Sequence, residues 1–214
     1  MHMLLPTAWL SRVPWARSRR FVFHEVQTLR DGELELIAPA EHLIDAVLAS
    51  AQHTLTRRLS PELANTSRRQ LREFLSLCPH GRQAASGSAA PAYHFWMRDH
   101  SLPDLPIAGG IALRVGTSED VELYYGHVGY HVYAPHRGRH FAERAVRLLL
   151  PLARRHGINP LWITCNPDNW PSLRTCQRLG AELVQTIVVP PGHPLYLRGE
   201  VAKCRFRLDE NAGI

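Results

Sequence analysis

The sequence predicts an α/β fold, a mixed sheet with helices packed on it, and three observations carry that reading. Residues 93–133 read as successive strands joined by short turn-like connections, the mark of antiparallel neighbours. Beyond Pro135 the rhythm becomes helix, strand, helix, strand, which calls for a parallel crossover in the same sheet. The chain has 214 residues, 45% apolar and 21% charged, enough for one ordinary core and too balanced for general disorder or a fibrous fold.

Residues 1–32 are rich in Pro, Trp and Arg (Pro6, Trp9, Pro14, Trp15, Arg17, Arg19, Arg20) without sustained periodicity. They are expected to form an irregular extension ahead of a single domain over 33–210. Residues 34–37 read as a short strand. Residues 41–58 read as a helix, because Leu43, Val47, Leu48, Leu55 and Leu59 recur near a helical period. Asn65-Thr66-Ser67 offers a cap for the next helix, where Leu71, Phe74, Leu75 and Cys78 form a stripe that Pro79 ends. Residues 83–91 (QAASGSAAP) read as a loop inside the domain. Strands are expected at 93–97, at 107–115 with Gly109-Gly110 inside it, and at 124–133.

A helix then opens at Phe141 with Ala145, Leu148, Leu149 and Leu152 on one face, and Gly157 stops it. Residues 161–165 read as a short buried strand. Asn169 with Pro171 in the first turn opens a further helix, closed by Gly180. Residues 182–189 and 202–208 read as two antiparallel strands. The total is about seven strands and about four helices, with the unit over 126–165 parallel and right-handed.

The net charge is +6, with 13 His able to add to it in mild acid. This suits anionic partners, such as a phosphorylated cofactor, an acidic carrier protein or nucleic acid, without choosing among them. No apolar run approaches the roughly 20 residues of a membrane span. The first ten residues lack a basic segment and a small-residue cleavage site, against a secretory leader. Cys78, Cys165, Cys176 and Cys204 show no C-x-x-C spacing and read as reduced core residues of a cytoplasmic protein.

The stretch Gly129-Tyr-His-Val-Tyr-Ala-Pro-His-Arg-Gly-Arg-His-Phe-Ala142 is the most informative. A strand ends at Tyr133, a basic loop follows, and a helix begins near Phe141. Unpaired amides and partial positive charge at a helix start suit a phosphate. Arg137 and Arg139 add charge, and Gly138 permits close backbone approach. On the residues alone, a basic turn that caps a helix and binds nothing stays equally open.

Here the sequence resembles the GNAT acyltransferase superfamily. The loop is similar to its acyl-CoA motif Arg/Gln-x-x-Gly-x-Gly/Ala, read as Arg137-Gly-Arg-His140-Phe-Ala142. Leu161-Trp-Ile-Thr-Cys-Asn166 continues the likeness. Asn169-Trp-Pro-Ser172-Leu-Arg-Thr-Cys-Gln-Arg-Leu-Gly180 is similar to the Asn-x-x-Ser helix of the branch that acetylates ribosomal-protein N-termini. The resemblance implies a twisted sheet splayed between two strands, with the pantetheine arm of acetyl-CoA or another acyl-CoA inserted beside Val132 and Tyr133. It implies that amides of Arg137, Gly138, Arg139, His140, Phe141 and Ala142 hold the pyrophosphate, and that Asn169 and Ser172 contact the arm. Ser172 would also return a proton to the departing thiolate after direct attack by an amine.

Two departures stand out. His140 occupies the place of the motif's first Gly, and Cys176 occupies the place where many members carry a Tyr acid. That leaves Ser172, Cys176 or water as the acid. For the base, His127 stands where many members have a Glu, with Glu122 in reserve; imidazole titrates near neutrality and suits the task. His127, His131, His136 and His140 invite a metal reading, but four residues along a strand span about 13 Å, so no metal site is expected.

The leading function is acyl-CoA-dependent N-acyl transfer, most simply acetylation, to an amine-bearing acceptor. Transfer from a carrier-protein phosphopantetheine is the second reading, and a GNAT-fold binding module without turnover the third. Arg17 to Arg20 and Arg68-Arg69 are basic, but no nucleic-acid reader motif accompanies them. A second copy of the chain is a further candidate partner, as in a homodimer.

Overall fold

In the computed structural model, which describes residues 21–84 and 90–209, the alternating apolar residues of the strands assemble into one nine-stranded sheet. β1 (Leu29–Asp31) turns through Gly32 into β2 (Leu34–Ile37), and β2 and β3 (Arg82–Gln83) both pair with β4 (Ala92–Asp99). β5 (Ile107–Arg114) and β6 (Val128–Val132) continue the antiparallel meander. β7 (Leu161–Cys165) joins β6 in parallel, and β9 (Ala202–Leu208) and β8 (Glu182–Val188) complete the order, with β8 at the edge.

The register explains the paired glycines of β5. A Cβ at Gly109 would stand 2.1 Å from the carbonyl oxygen of His131, so only glycine lets β6 approach this closely.

Six α-helices accompany the sheet among the described residues: α1 (Ile44–Ala51), α2 (Thr54–Leu59), α3 (Pro61–Ala64), α4 (Arg68–Leu77), α5 (Phe141–Arg155) and α6 (Trp170–Leu179). Phe141, Ala145, Leu149 and Leu152 of α5, with Cys176 and Leu179 of α6, pack on Phe95, Ile111, Leu113, Val128, Ile163 and Phe206. Ile44, Val47, Leu63 and Leu71 form a second cluster with Trp96, Ile107 and Tyr133. Trp96 and its neighbours Phe95 and Met97 point to opposite faces, so the sheet has helices on both sides.

Several expectations are corrected. The helix expected over 41–58 is a 3₁₀ turn followed by α1 and α2, because the His53 ring accepts the Leu55 amide and caps a new helix where the apolar spacing runs on. The expected α4 holds, with Ser67 and Gln70 forming a reciprocal capping box. The strand expected from residue 124 begins only at Val128. Val121–Tyr125 is instead a π-helical turn, tied by the Thr164 hydroxyl to the Tyr124 carbonyl (2.8 Å) and by the Arg205 Nε to the Glu122 carbonyl (2.7 Å). The irregular stretch ends before residue 29, since β1 belongs to the sheet; residues 1–20 lie outside the described residues, as do 85–89 of the expected loop.

Candidate active site

The join between β6 and β7 is the unusual place in the sheet. The two strands register at a single pair, Val128 with Ile163, before they diverge. The Arg114 amide donates to the His127 carbonyl (2.7 Å) and the Tyr133 amide to the Ala108 carbonyl (2.8 Å), so odd-numbered residues of β6 face β5. By alternation, the backbone groups of Tyr130 and Val132 face the gap toward β7. One of them is occupied: Arg137 Nε donates to the Val132 carbonyl at 3.1 Å. The Tyr133 amide, expected to serve a ligand, is spent inside the sheet.

The basic loop lies at the end of this gap. His140, the N-cap of α5, has φ 58° and ψ 23°, in the left-handed region. That conformation explains why the motif has Gly at this place, and His140 adopts it with local strain. Its ring is exposed, as are Arg137 and Gly138, and Gly138 at φ 84° has nothing near its missing Cβ. The first α5 amide with a partner is that of Arg144, which donates to the His140 carbonyl (3.0 Å), so the amides of Phe141, Ala142 and Glu143 project from the helix start.

The side chain of Arg139 does something else. It bonds Asp99, Glu33 (3.0 Å) and Ser101 (2.8 Å), and lies 4.6 Å from the Phe141 ring centre. Arg144 joins the same network through Glu33 (2.8 Å) and Asp31 (2.6 Å). His136 Nδ1 meets Asp99 at 3.0 Å, both side chains fully buried. Two guanidiniums thus face three carboxylates, and the network anchors the loop from behind. The positive end of α5 and the amides from Gly138 onward are left to face an anion, while the exposed Arg137 is held beside them by the Val132 carbonyl and the Ser60 hydroxyl. Burial opposes ionisation of Asp99, but the hydrogen bonds from Ser101 and His136 and the charge of Arg139 hold its carboxyl below the usual range. The hydrogen bond from Arg144 brings Glu33 down to about 2.

At the other end of β6, His127 is 1% exposed. Its Nδ1 accepts the Trp162 amide at 2.9 Å, and its Nε2 has no hydrogen-bond partner among the described residues. The Nδ1 lone pair is therefore engaged, and the neutral ring carries its proton on Nε2. Burial, then the Arg114 charge, lowers its pKa to about 4. A ring so placed takes a proton only by surrendering the Trp162 amide, which opposes its expected role as base. Glu122 sits half-buried on the π-helical turn beside Arg205.

On α6, the Asn169 side chain accepts the Ser172 amide (3.3 Å) and caps the helix. Ser172 is 8% exposed, and its Oγ lies 2.9 Å from the Tyr130 hydroxyl. Cys176 is fully buried and interacts with Cys165; that contact and burial raise its pKa, which opposes an acid role and fits helix packing. Tyr130 went unassigned in the sequence, although period-2 alternation puts it on the same face as Val128 and Val132. Among the described residues, no group of three or more His, Cys, Asp and Glu side chains is arranged to hold a metal ion. No helix there is long and apolar enough to cross a membrane.

A family model for the acetyltransferase (GNAT) domain matches residues 33–182. The chain belongs to the GNAT acetyltransferase family. Solved structures with the same fold include the microcin C7 self-immunity acetyltransferase MccE in complex with acetyl-CoA and AMP (15% identity, TM-score 0.59, covering 84% of this chain and 93% of that one). They include RimL, a ribosomal L7/L12 α-N-protein acetyltransferase in complex with coenzyme A in disulfide linkage to one of its cysteines (18%, 0.60, 87% and 100%). A third is the Salmonella typhimurium acetyltransferase that modifies the N-terminal serine of L7/L12 (18%, 0.55, 85% and 97%). At these identities the likeness is one of fold. Comparison with curated protein sequences finds no match.

Proposed function

We propose that this GNAT protein is an acyl-CoA-dependent N-acyltransferase, most simply an acetyltransferase, that moves the acyl group to an amine by direct attack. The observation that carries the reading is the gap between β6 and β7 beyond Val128 and Ile163, with backbone of Tyr130 and Val132 along one side, the α5 amides past its loop end and Ser172 bonded to the Tyr130 phenol. A pantetheine arm is a chain of two amides ending in sulfur, and such a gap lets it pair as a missing strand would.

In this reading the amides of Gly138 to Ala142 bind the pyrophosphate, and Arg137 supplies the exposed charge. Asn169 and Ser172 border the arm. The amine nitrogen attacks the thioester carbonyl, the C–S bond breaks, and sulfur leaves with the electron pair to receive a proton from Ser172 or from water. Proximity supplies much of the acceleration, because amine and thioester need positioning more than covalent assistance. With His127 locked, deprotonation of the amine falls to Glu122, to water or to the acceptor's own basicity.

The structural relatives named for L7/L12 act on a protein N-terminus, so peptide α-amines lead the acceptor candidates, ahead of amino acids, aminoglycosides and small amines. Thiol release from acetyl-CoA across these acceptors, with titration calorimetry of CoA, tests the reading. Saturable CoA binding with acceptor-dependent thiol release is expected. Binding without release from any acceptor would instead favour a non-catalytic module, and release only from acyl-carrier thioesters would favour the carrier-protein donor.

A further inference from the structure

We propose that Tyr130 is a positioning residue: its phenol holds the Ser172 hydroxyl so that the serine proton faces the gap between β6 and β7 and meets the sulfur of bound CoA. The inference rests on the function proposed above and names a residue that acts through Ser172 without touching the acyl group.

The geometry is specific. Tyr130 crosses from β6 to the first turn of α6, and its hydroxyl lies 2.9 Å from Ser172 Oγ. A serine hydroxyl has one proton and two lone pairs, so the direction of its proton depends on whether Tyr130 gives or takes the hydrogen bond. The nearby Thr175 hydroxyl donates to the Pro171 carbonyl at 3.0 Å, so toward Tyr130 it can only accept. Burial raises the phenol pKa, and the tyrosine keeps its proton and has one to give. With neutral sulfur in the gap, the phenol has three acceptors within reach, Ser172, Thr175 and the Cys176 sulfur. Once a thiolate occupies the gap, the charge-assisted bond from Ser172 to sulfur is the stronger option, and the phenol then turns its proton to Ser172.

The remaining titratable groups around this hydroxyl pair are the thiols of Cys165 on β7 and Cys176 on α6, with Lys203 of β9 and Asp168 acting on Cys165. The Tyr130 phenol also bonds the Cys176 thiol, and Ser172 bonds the Cys165 thiol, so both sulfurs belong to the same network. Whether the tyrosine acts through the serine or through these thiols is therefore decided by the double variant.

The test needs no acceptor. The pKa of the bound CoA thiol is read from the ultraviolet absorbance of its thiolate across pH, with the desulfo-CoA complex as blank to subtract protein tyrosines. In wild type the thiol is expected about one unit below free CoA, the scale of one charge-assisted hydrogen bond. Tyr130→Phe should lose most of that shift while its affinity for CoA below the thiol pKa is unchanged. Ser172→Ala should abolish the shift, and the double variant should add nothing to Ser172→Ala.

Fluorotyrosine at position 130 keeps the shape with a stronger donor, and should deepen the shift even where Tyr130→Phe fails to fold. An unperturbed thiol in wild type, an equal shift in Tyr130→Phe, or a deeper one there, overturns the inference; the last would mean that the phenol competes for the serine proton. Failure of wild type to bind CoA at all removes the functional reading and this inference together.

Discussion

The two ends of β6 carry the most chemically suggestive side chains of the molecule and use them in opposite ways. At the loop end, Arg139, Arg144 and His136 are charged or polar groups turned inward onto Asp31, Glu33 and Asp99, and what remains facing outward is mostly backbone. At the other end, His127 is neutral, buried and fastened to the Trp162 amide. In both places the titratable side chain is scaffold. In the proposed function, anion recognition is left to amides at one end, and proton handling to hydroxyls between the ends. A functional group in the right motif position has a function only if its lone pair or charge is still unspent.

The largest effect should come from breaking the loop-end scaffold. Asp99→Ala leaves the buried His136 and the Arg139 guanidinium without their shared partner, and should cost roughly 3–5 kcal/mol of stability. Urea unfolding measures this, and CoA affinity should fall with it, because Arg139 then ties the loop down through Glu33 and Ser101 alone. An unchanged midpoint would show that the network is dispensable.

His127→Ala should cost less, about 1–3 kcal/mol, since one buried amide loses its acceptor. For His127→Gln, the expectation is retention of turnover within a few-fold and of the acidic limb of the pH–rate profile. A loss of about 10²-fold with disappearance of that limb would restore His127 as the base, the ordinary worth of a positioned one.

The same contrast should appear as two acid transitions in stability. His94, His127 and His131 are each lowered to about 4, chiefly by burial. The unfolded chain takes up these protons first, so their contribution is whole above about pH 6.5 and declines as pH falls toward 4. Asp99 and Glu33 are depressed carboxylates, so theirs is whole above about pH 4 and is lost as pH falls toward 2. Unfolding free energy measured against pH should show both slopes, with His127→Gln flattening the upper one only.

The smallest effect concerns His140. Replacing a left-handed histidine by glycine relieves strain but loosens the unfolded chain, for a net gain of up to about 1 kcal/mol. If the exposed ring lies clear of the phosphate site, acetyl-CoA affinity in His140→Gly stays close to wild type. A large gain in affinity would mean that the ring obstructs the pyrophosphate, and would favour a carrier-bound donor.

Local signals made much of this legible. Asn169, Pro171 and Gly180 bracket α6, Gly157 follows α5, and β9 falls where its alternation puts it. The errors lie where local patterns continue across a break. Apolar spacing runs on through Gln52 and His53, and the strand-favouring pair Tyr124-Tyr125 imitates a strand although tertiary bonds from Thr164 and Arg205 hold a helical turn. In the proposed site, the loop and Ser172 stand out in the sequence because a motif is local. The lock on His127 depends on Trp162, the neutralisation of Arg139 on Glu33 and Asp99, and the setting of Ser172 on Tyr130. Each is a contact between residues distant in sequence, with no trace in spacing.

The single registered pair between β6 and β7 also has a mechanical consequence. Beyond Val128, the two flanks of the sheet are joined through α5 and α6 and not by a continuous ladder, so the molecule has a seam. Amide hydrogens of Tyr130 and Val132 lie beyond the registered pair, where no continuous ladder slows their exchange with solvent. A ligand laid in the seam would act as mortar, protecting those two hydrogens in particular and making one plate of two.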